Sequence, residues 1–265
     1  MNTQQRKLIT TLALCASFTL PNMASAISVS GQGTWENTLQ GRDLDGDLFT
    51  FEAYYDTVLD ITWLANANYA GTTMNWSTAN DWAANLNPYD SGITGWRLPS
   101  VSPVDGTTAD DANLSYVGTE DRGYSISAPG TLYAGSTASE MAYMFYNTLG
   151  DEAYCDPTTS TTTSCVAQTG YGLTNSGPFS NLKSSRYWST TEFAPNISDA
   201  WYFSTIYGPQ YHNDKIGNFS AWAVHDGDIG FAVPSAVPVP AAAWLFGSGL
   251  LGLVGVARRT YLGSE

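Results

Sequence analysis

Basic side chains are almost missing from the middle of this chain. Ten Lys and Arg stand against 24 Asp and Glu, and Arg6, Lys7, Arg258 and Arg259 lie at the two ends. Without those ends, and without Glu265, six basic and 23 acidic residues remain, a net charge of −17. Such a field repels nucleic acid, heparin-like polymers and anionic lipid, so neutral sugars, cations or basic partners are left as ligands. Histidine is equally scarce: His212 and His225 are the only two, and their spacing fits no metal-ligand motif. No nucleophile elbow and no phosphate-binding loop is present. Carboxylates suited to glycoside hydrolysis abound, but in so acidic a chain their abundance carries no information. The sequence therefore offers no recognisable catalytic constellation, and a non-catalytic role is expected.

Cysteine is the third scarcity. Of three, Cys15 sits in an N-terminal apolar stretch, which leaves Cys155 and Cys165 as a pair. The residues between them are polar, with nothing to bury. A disulfide pinning a surface loop is expected, provided the domain matures in an oxidising compartment.

Both ends indicate that it does. Arg6-Lys7, the apolar run Leu8 to Leu20 and Ala24-Ser25-Ala26 follow one another as the parts of a signal peptide, so residues 1–26 are read as removed. At the other end, an apolar run from Val239 to Ala257 stops at Arg258-Arg259. As a helix it would be about 28 Å long, close to the hydrocarbon thickness of a bilayer. The paired arginines suit a stop-transfer signal that leaves residues 260–265 in the cytoplasm. The intervening part is expected outside it, as one domain over 27–229 with a linker over 230–236.

The tail carries a further pattern. Val237-Pro238-Val239-Pro240-Ala241, then Trp244-Leu245-Phe246-Gly247-Ser248-Gly249-Leu250 and the terminal Arg258-Arg259, resemble the PEP-CTERM sorting signal in its VPLPA variant, with Val239 in place of the usual leucine. The resemblance implies a partner, an exosortase-type membrane protease that recognises the Val237–Ala241 box within a sorting segment over 237–259. It further implies a bacterial exported protein, anchored in the membrane by the C-terminal helix before processing and delivered to the cell surface or extracellular matrix. Gly247, Gly249, Gly252 and Gly255 would equally suit an ordinary anchor helix that is never cut.

Between the ends the periodicity changes twice. Thr34 to Leu64 reads as strands, with a hairpin turn at Asp45-Gly46 and a strand over Leu59 to Leu64. Trp76, Ala79, Trp82, Ala83 and Leu86 fall on one helical face, with Ser77 as N-cap. Residues 101–135 read as a long irregular insertion. Ser139 to Leu149 predicts a second helix with Met141, Met144, Phe145 and Leu149 inward and Gly150 as its stop. Strands return at Tyr187, Ala200 and Ala221, and turns are expected at Gly208-Pro209 and Asp226-Gly227. The order of elements is that of an α+β domain.

Several of these pieces resemble the Lcl C-terminal domain family, long catalogued as a domain of unknown function. They are Tyr55-Asp56 through Thr62-Trp63, the Trp82–Leu86 helix end, Gly95-Trp96-Arg97-Leu98-Pro99 and the Glu140–Leu149 helix. After these come Tyr187-Trp188-Ser189-Thr190-Thr191-Glu192, Ala200-Trp201-Tyr202-Phe203, Lys215 and Ala221-Trp222-Ala223-Val224. The resemblance implies a single C-type-lectin-like domain of short antiparallel strands with two helices, related to the formylglycine-generating architecture. It also implies adhesive binding of glycan or matrix components. The chain departs from the family in two ways. A cysteine pair that many relatives carry is replaced in Trp82–Leu86 and Trp222–His225, and the acidity disfavours the sulfated glycans bound by the best-known member.

Candidate ligand groups are few. Asp43, Asp45 and Asp47 place carboxylates at alternate positions, as the first half of a calcium loop does; the glycine and glutamate that complete such a loop would fall at Leu48 and Tyr54, so a hairpin turn is the preferred reading. Calcium is the one cofactor these residues would suit. Glu192, Pro195 and Asn196 keep, at stretched spacing, the order of the sugar-binding and calcium-binding loop of C-type lectins, with Trp201 as a candidate stacking ring. Ordinary turn chemistry and core packing are the competing explanations for the loop and for strand-borne Trp188, Trp201 and Trp222. Arg97 is expected to meet an internal carboxylate. Three functions remain open: glycan or matrix binding in adhesion or biofilm, a structural matrix protein with no small ligand, and a carbohydrate-active enzyme.

Overall fold

The computed structural model describes residues 33–47, 49–104 and 113–232. The signal-peptide segment and the sorting residues Val237, Pro238, Pro240, Ala241, Arg258 and Arg259 lie outside them. Among the described residues no helix is long and apolar enough to cross a membrane.

The described chain is mixed α+β, mostly short strands. A single helical turn, α1 (Trp35–Thr38), leads into β1 (Leu39–Asp43), β2 (Ala53–Asp56) and β3 (Ile61–Leu64). The helix α2 (Trp76–Ala84) follows, then β4 (Leu114–Ser115), β5 (Arg122–Gly123) and α3 (Glu140–Tyr143). The last third holds β6 (Arg186–Glu192), β7 (Asp199–Ser204), β8 (Gln210–Asp214), β9 (Val224–Asp226) and β10 (Phe231–Ala232). They form two five-stranded sheets, ordered β10-β1-β2-β3-β9 and β4-β5-β8-β7-β6. All pairs are antiparallel except β4 with β5.

Several expectations change in detail. β1 and β2 do form a hairpin, with Arg42 opposite Ala53, but residues 44–52 make a broad loop and not a tight turn at Asp45-Gly46. The reason is that Asp43 Oδ1 accepts from the amides of Asp45 and Gly46, which turns the chain before a two-residue loop can close. The cap of α2 is Asn75, whose side chain accepts from Thr78 N; Ser77 lies inside the helix. The insertion is less irregular than it reads, because β4 and β5 extend the second sheet. β10 takes in the start of the stretch read as a linker and pairs with Arg42 and Asp43 of β1.

The second helix forms at its expected place but in two conformations. After α3 the chain widens into a π-helical turn (Met144–Thr148), with Leu149 N donating to Met144 O. Of residues 140–149 only Asn147 is not fully buried. A helix apolar on nearly every side belongs in a core and not on a surface. Around it pack Trp63 and Trp222, ring centroids 4.5 Å apart, with the edge of Phe179 against Trp222. A second cluster joins Ala79 and Ala83 of α2 to Trp188, which lies 4.3 Å from Phe219. The indole N–H of Trp188 donates to Met74 O and that of Trp222 to Leu64 O, so neither buried donor is orphaned.

Arg97 meets the carboxylate expected of it. It forks onto Glu140 through two bonds of 2.7 and 2.8 Å and also holds Asp226. Glu140 in turn accepts from Ser100 N, so one ion pair fastens the segment after α2 to α3 and to β9.

Candidate functional site

The three groups read as a lectin loop do not converge on a ligand. Trp201 is 1% exposed and closes a small cluster with Val101 and Phe193, so it has no free face for a sugar ring. Glu192 is exposed but ion-paired to Lys215 at 2.5 Å, and Lys215 also donates to Ile197 O and stands over the Trp76 ring. Asn196 donates to Asp199 and accepts from Ser198 N, which is turn chemistry. Packing and turn formation, the competing explanations, describe Trp201 and Asn196, while Glu192 is engaged in a surface ion pair.

The acidic loop is rearranged in another way. Asp43, Asp45 and Glu52 bring one carboxylate oxygen each within 4.8 Å of one another. Asp47 is not in this group. It accepts from Phe49 N and Thr50 N, and those backbone bonds hold its carboxyl below the usual range. Glu52 was invisible to a reading that sought alternate positions, because the broad loop brings it back from the far side. The three oxygens are hard donors of the kind a divalent cation takes. Asp43 and Glu52 are also committed to backbone amides of the loop, so the loop stands without an ion.

A better-formed concavity lies beside the disulfide. Cys155 and Cys165 are bonded, their Cα atoms 5.2 Å apart, and the link closes a polar loop as expected. Next to it opens a cleft of about 460 Å³, within the range of small-molecule sites. Asn147, Asp151, Glu152, Asp156, Thr158 and Gln168 are among its lining residues, and among the described residues no basic side chain lines it. Beneath it Tyr146 is buried, donating to Gly208 O at 2.5 Å and accepting from Ser125 N at 3.0 Å; burial pushes its phenol well above the usual value.

Asp151 is the unusual group here. It lies just past the π-helical turn, after Leu149 and Gly150, and is 3% exposed. Its Oδ1 accepts from Thr174 N, Thr174 Oγ1 and Asn175 N at 2.8 to 2.9 Å. Its Oδ2 is buried with no hydrogen-bond partner among the described residues. Burial raises its carboxyl to about 6, against the lowering effect of those three bonds. Ser125, which lines the cleft, and Ser127 both have positive φ and a buried hydroxyl lacking a partner among the described residues. Backbone held in a sparsely populated region beside a concavity is a common mark of a functional site.

The two histidines lie elsewhere. His212 pairs with Asp199 at 2.7 Å and stacks on Phe193, and His225 packs edge-on against Trp96. Neither lines the cleft. No protein-family model matches this chain, and no curated protein matches its sequence. The resemblance described above therefore rests on its own motifs.

Proposed function

We propose that this chain is an exported bacterial surface or extracellular-matrix protein whose one C-type-lectin-like domain binds an uncharged glycan without transforming it. The observation that carries the reading is the cleft beside the disulfide, where carboxylates, amides and hydroxyls share the lining with apolar Ala128, Pro129, Ala153 and Pro157 and with no basic group among the described residues. Such a lining accepts hydrogen bonds from sugar hydroxyls and disfavours sulfate, phosphate and uronate. The two five-stranded, largely antiparallel sheets and the buried helix are compatible with the lectin-like assignment, which rests on the motif order in the sequence. The disulfide agrees with export, and the PEP-CTERM-like tail supports sorting by an exosortase-type protease. Calcium bound by Asp43, Asp45 and Glu52 would be a separate, structural contribution.

The test is a glycan array read with the full-length chain, with and without a chelator. Retention of neutral glycans and none of sulfated or uronic ones is expected. Binding confined to anionic glycans, or turnover of a bound glycan, refutes the proposal. The second reading, a structural matrix protein with no small ligand, is favoured by the burial of Trp201 and the pairing of Glu192; an array blank throughout would establish it.

A further inference from the structure

We infer that Tyr154, Tyr171 and Tyr207 form an exposed ring platform that stacks on a sugar unit of the same uncharged glycan, extending the cleft across the protein surface. The inference rests on the glycan-binding reading above and adds where, and by what chemistry, the ligand is held.

The rings are placed for it. Tyr171 and Tyr207 lie nearly parallel, centroids 5.8 Å apart and planes 27° from one another, and Tyr154 sets its edge against both at 5.0 and 5.9 Å. Tyr171 is 37% and Tyr207 46% exposed, two large side chains that touch each other at the surface. A lone exposed ring needs no explanation; three touching ones in a rigid frame mark an interaction surface.

The frame is rigid for stated reasons. Tyr154 N donates to Tyr207 O, Gln168 N to Tyr154 O and Gly172 N to Glu152 O, so three remote segments are sewn into one ribbon. The disulfide closes one end of that ribbon. Two glycines allow its close approach. A Cβ on Gly172 would lie 2.5 Å from Ile206 O, and one on Gly208 2.6 Å from the Tyr146 hydroxyl. Both have positive φ as well. A platform ordered before binding loses little entropy when the ligand arrives.

None of the three rings lines the cleft itself, but platform and cleft draw on one segment. Along residues 151–156 burial alternates: Asp151, Ala153 and Cys155 point inward, while Glu152, Tyr154 and Asp156 take the outer face. Glu152 and Asp156 line the cleft, so the ring that joins the platform stands between two cleft carboxylates. A pyranose presents an apolar C–H face bordered by hydroxyls. The tyrosine rings match the face, and the carboxylates accept from the border. The charge of the chain makes the occupant an uncharged glycan and not an acidic one.

The experiment is calorimetric titration of the full-length chain in detergent micelles with cellohexaose, dextran, galactan and mannan, and with polygalacturonate as the acidic control. Tyr171→Ala and Tyr207→Ala are each expected to weaken the best uncharged ligand about five- to tenfold, and Tyr171→Phe to stay within about twofold. Nitration of the wild-type chain gives a second readout free of substitution: bound glycan should protect Tyr171 and Tyr207 from tetranitromethane. If Glu152→Gln weakens binding while the alanine variants and the nitration pattern do not change, the platform is refuted and the cleft reading stands. If the wild-type chain binds none of the uncharged glycans, both fall.

Discussion

Single residues were legible where scarcity made them so. Arg97 is one of six basic residues in a chain region of net charge −17, and its pairing with an internal carboxylate follows from that alone. Asp151 had no such signal, because one aspartate among many acids gives no hint that it will be buried. Its titration makes a prediction. The folded carboxyl is raised from 3.8 to about 6, so the folded state holds this proton more tightly than the unfolded state does. The stability it allows is full below about pH 4 and is lost as pH rises through about 6, by at most about 3 kcal/mol. Asp56 is shifted the same way, and exposed Asp47 and Asp156 the opposite way, so only a comparison isolates Asp151. Urea unfolding across pH 4 to 7 should show a flatter profile for Asp151→Asn than for the wild type; parallel profiles would refute the assignment.

At the scale of elements, the strongest patterns survived folding and the loops did not. α2 and the helix over 139–149 announce themselves by apolar spacing, and both lie where that spacing puts them. The widening of the second into a π-helical turn has no signal in residue types; the packing of ten buried or nearly buried residues selects it. β8 went unread because Gln210 to Asp214 is polar, and only pairing with β7 makes it a strand. The disulfide element yields the next prediction. Linking positions ten apart is worth about 3 kcal/mol by loop closure. Cys155→Ser with Cys165→Ser should lower unfolding stability by about that amount and weaken glycan binding, because the Tyr154 segment loses its anchor. Near-UV circular dichroism of the tryptophan core should be unchanged, and a loss of that signal would show that the link supports the whole domain.

For the molecule as a whole, the ends and the folded part speak to different questions. The apolar tail and the VPVPA box propose an address, while the cleft and the platform propose a task. In a host that carries the processing protease, replacing Pro238 and Pro240 by alanine should leave the C-terminal peptide attached. Mass spectrometry of the membrane and medium fractions reads this directly. Recovery of the unaltered chain from the cytosol with both apolar ends intact would contradict the address.

Composition alone argued against anionic ligands, since net charge is a sum that folding cannot change. Local periodicity was enough to place the two helices and strands β3, β6 and β7, because apolar spacing is a property of neighbours in the chain; the strand expected from Ala221 begins only at Val224, and the stretch read as strand from Thr34 opens with the helical turn α1. Only the tertiary structure replaced Asp47 by Glu52 in the acidic group, buried Trp201, and gathered Tyr154, Tyr171 and Tyr207 onto one face. The physical reason is the course of the backbone. For Trp201 and the tyrosines, pairing between segments remote in sequence decides which side chains meet; for Glu52 it is the local path of the loop, and neither leaves a trace in residue type.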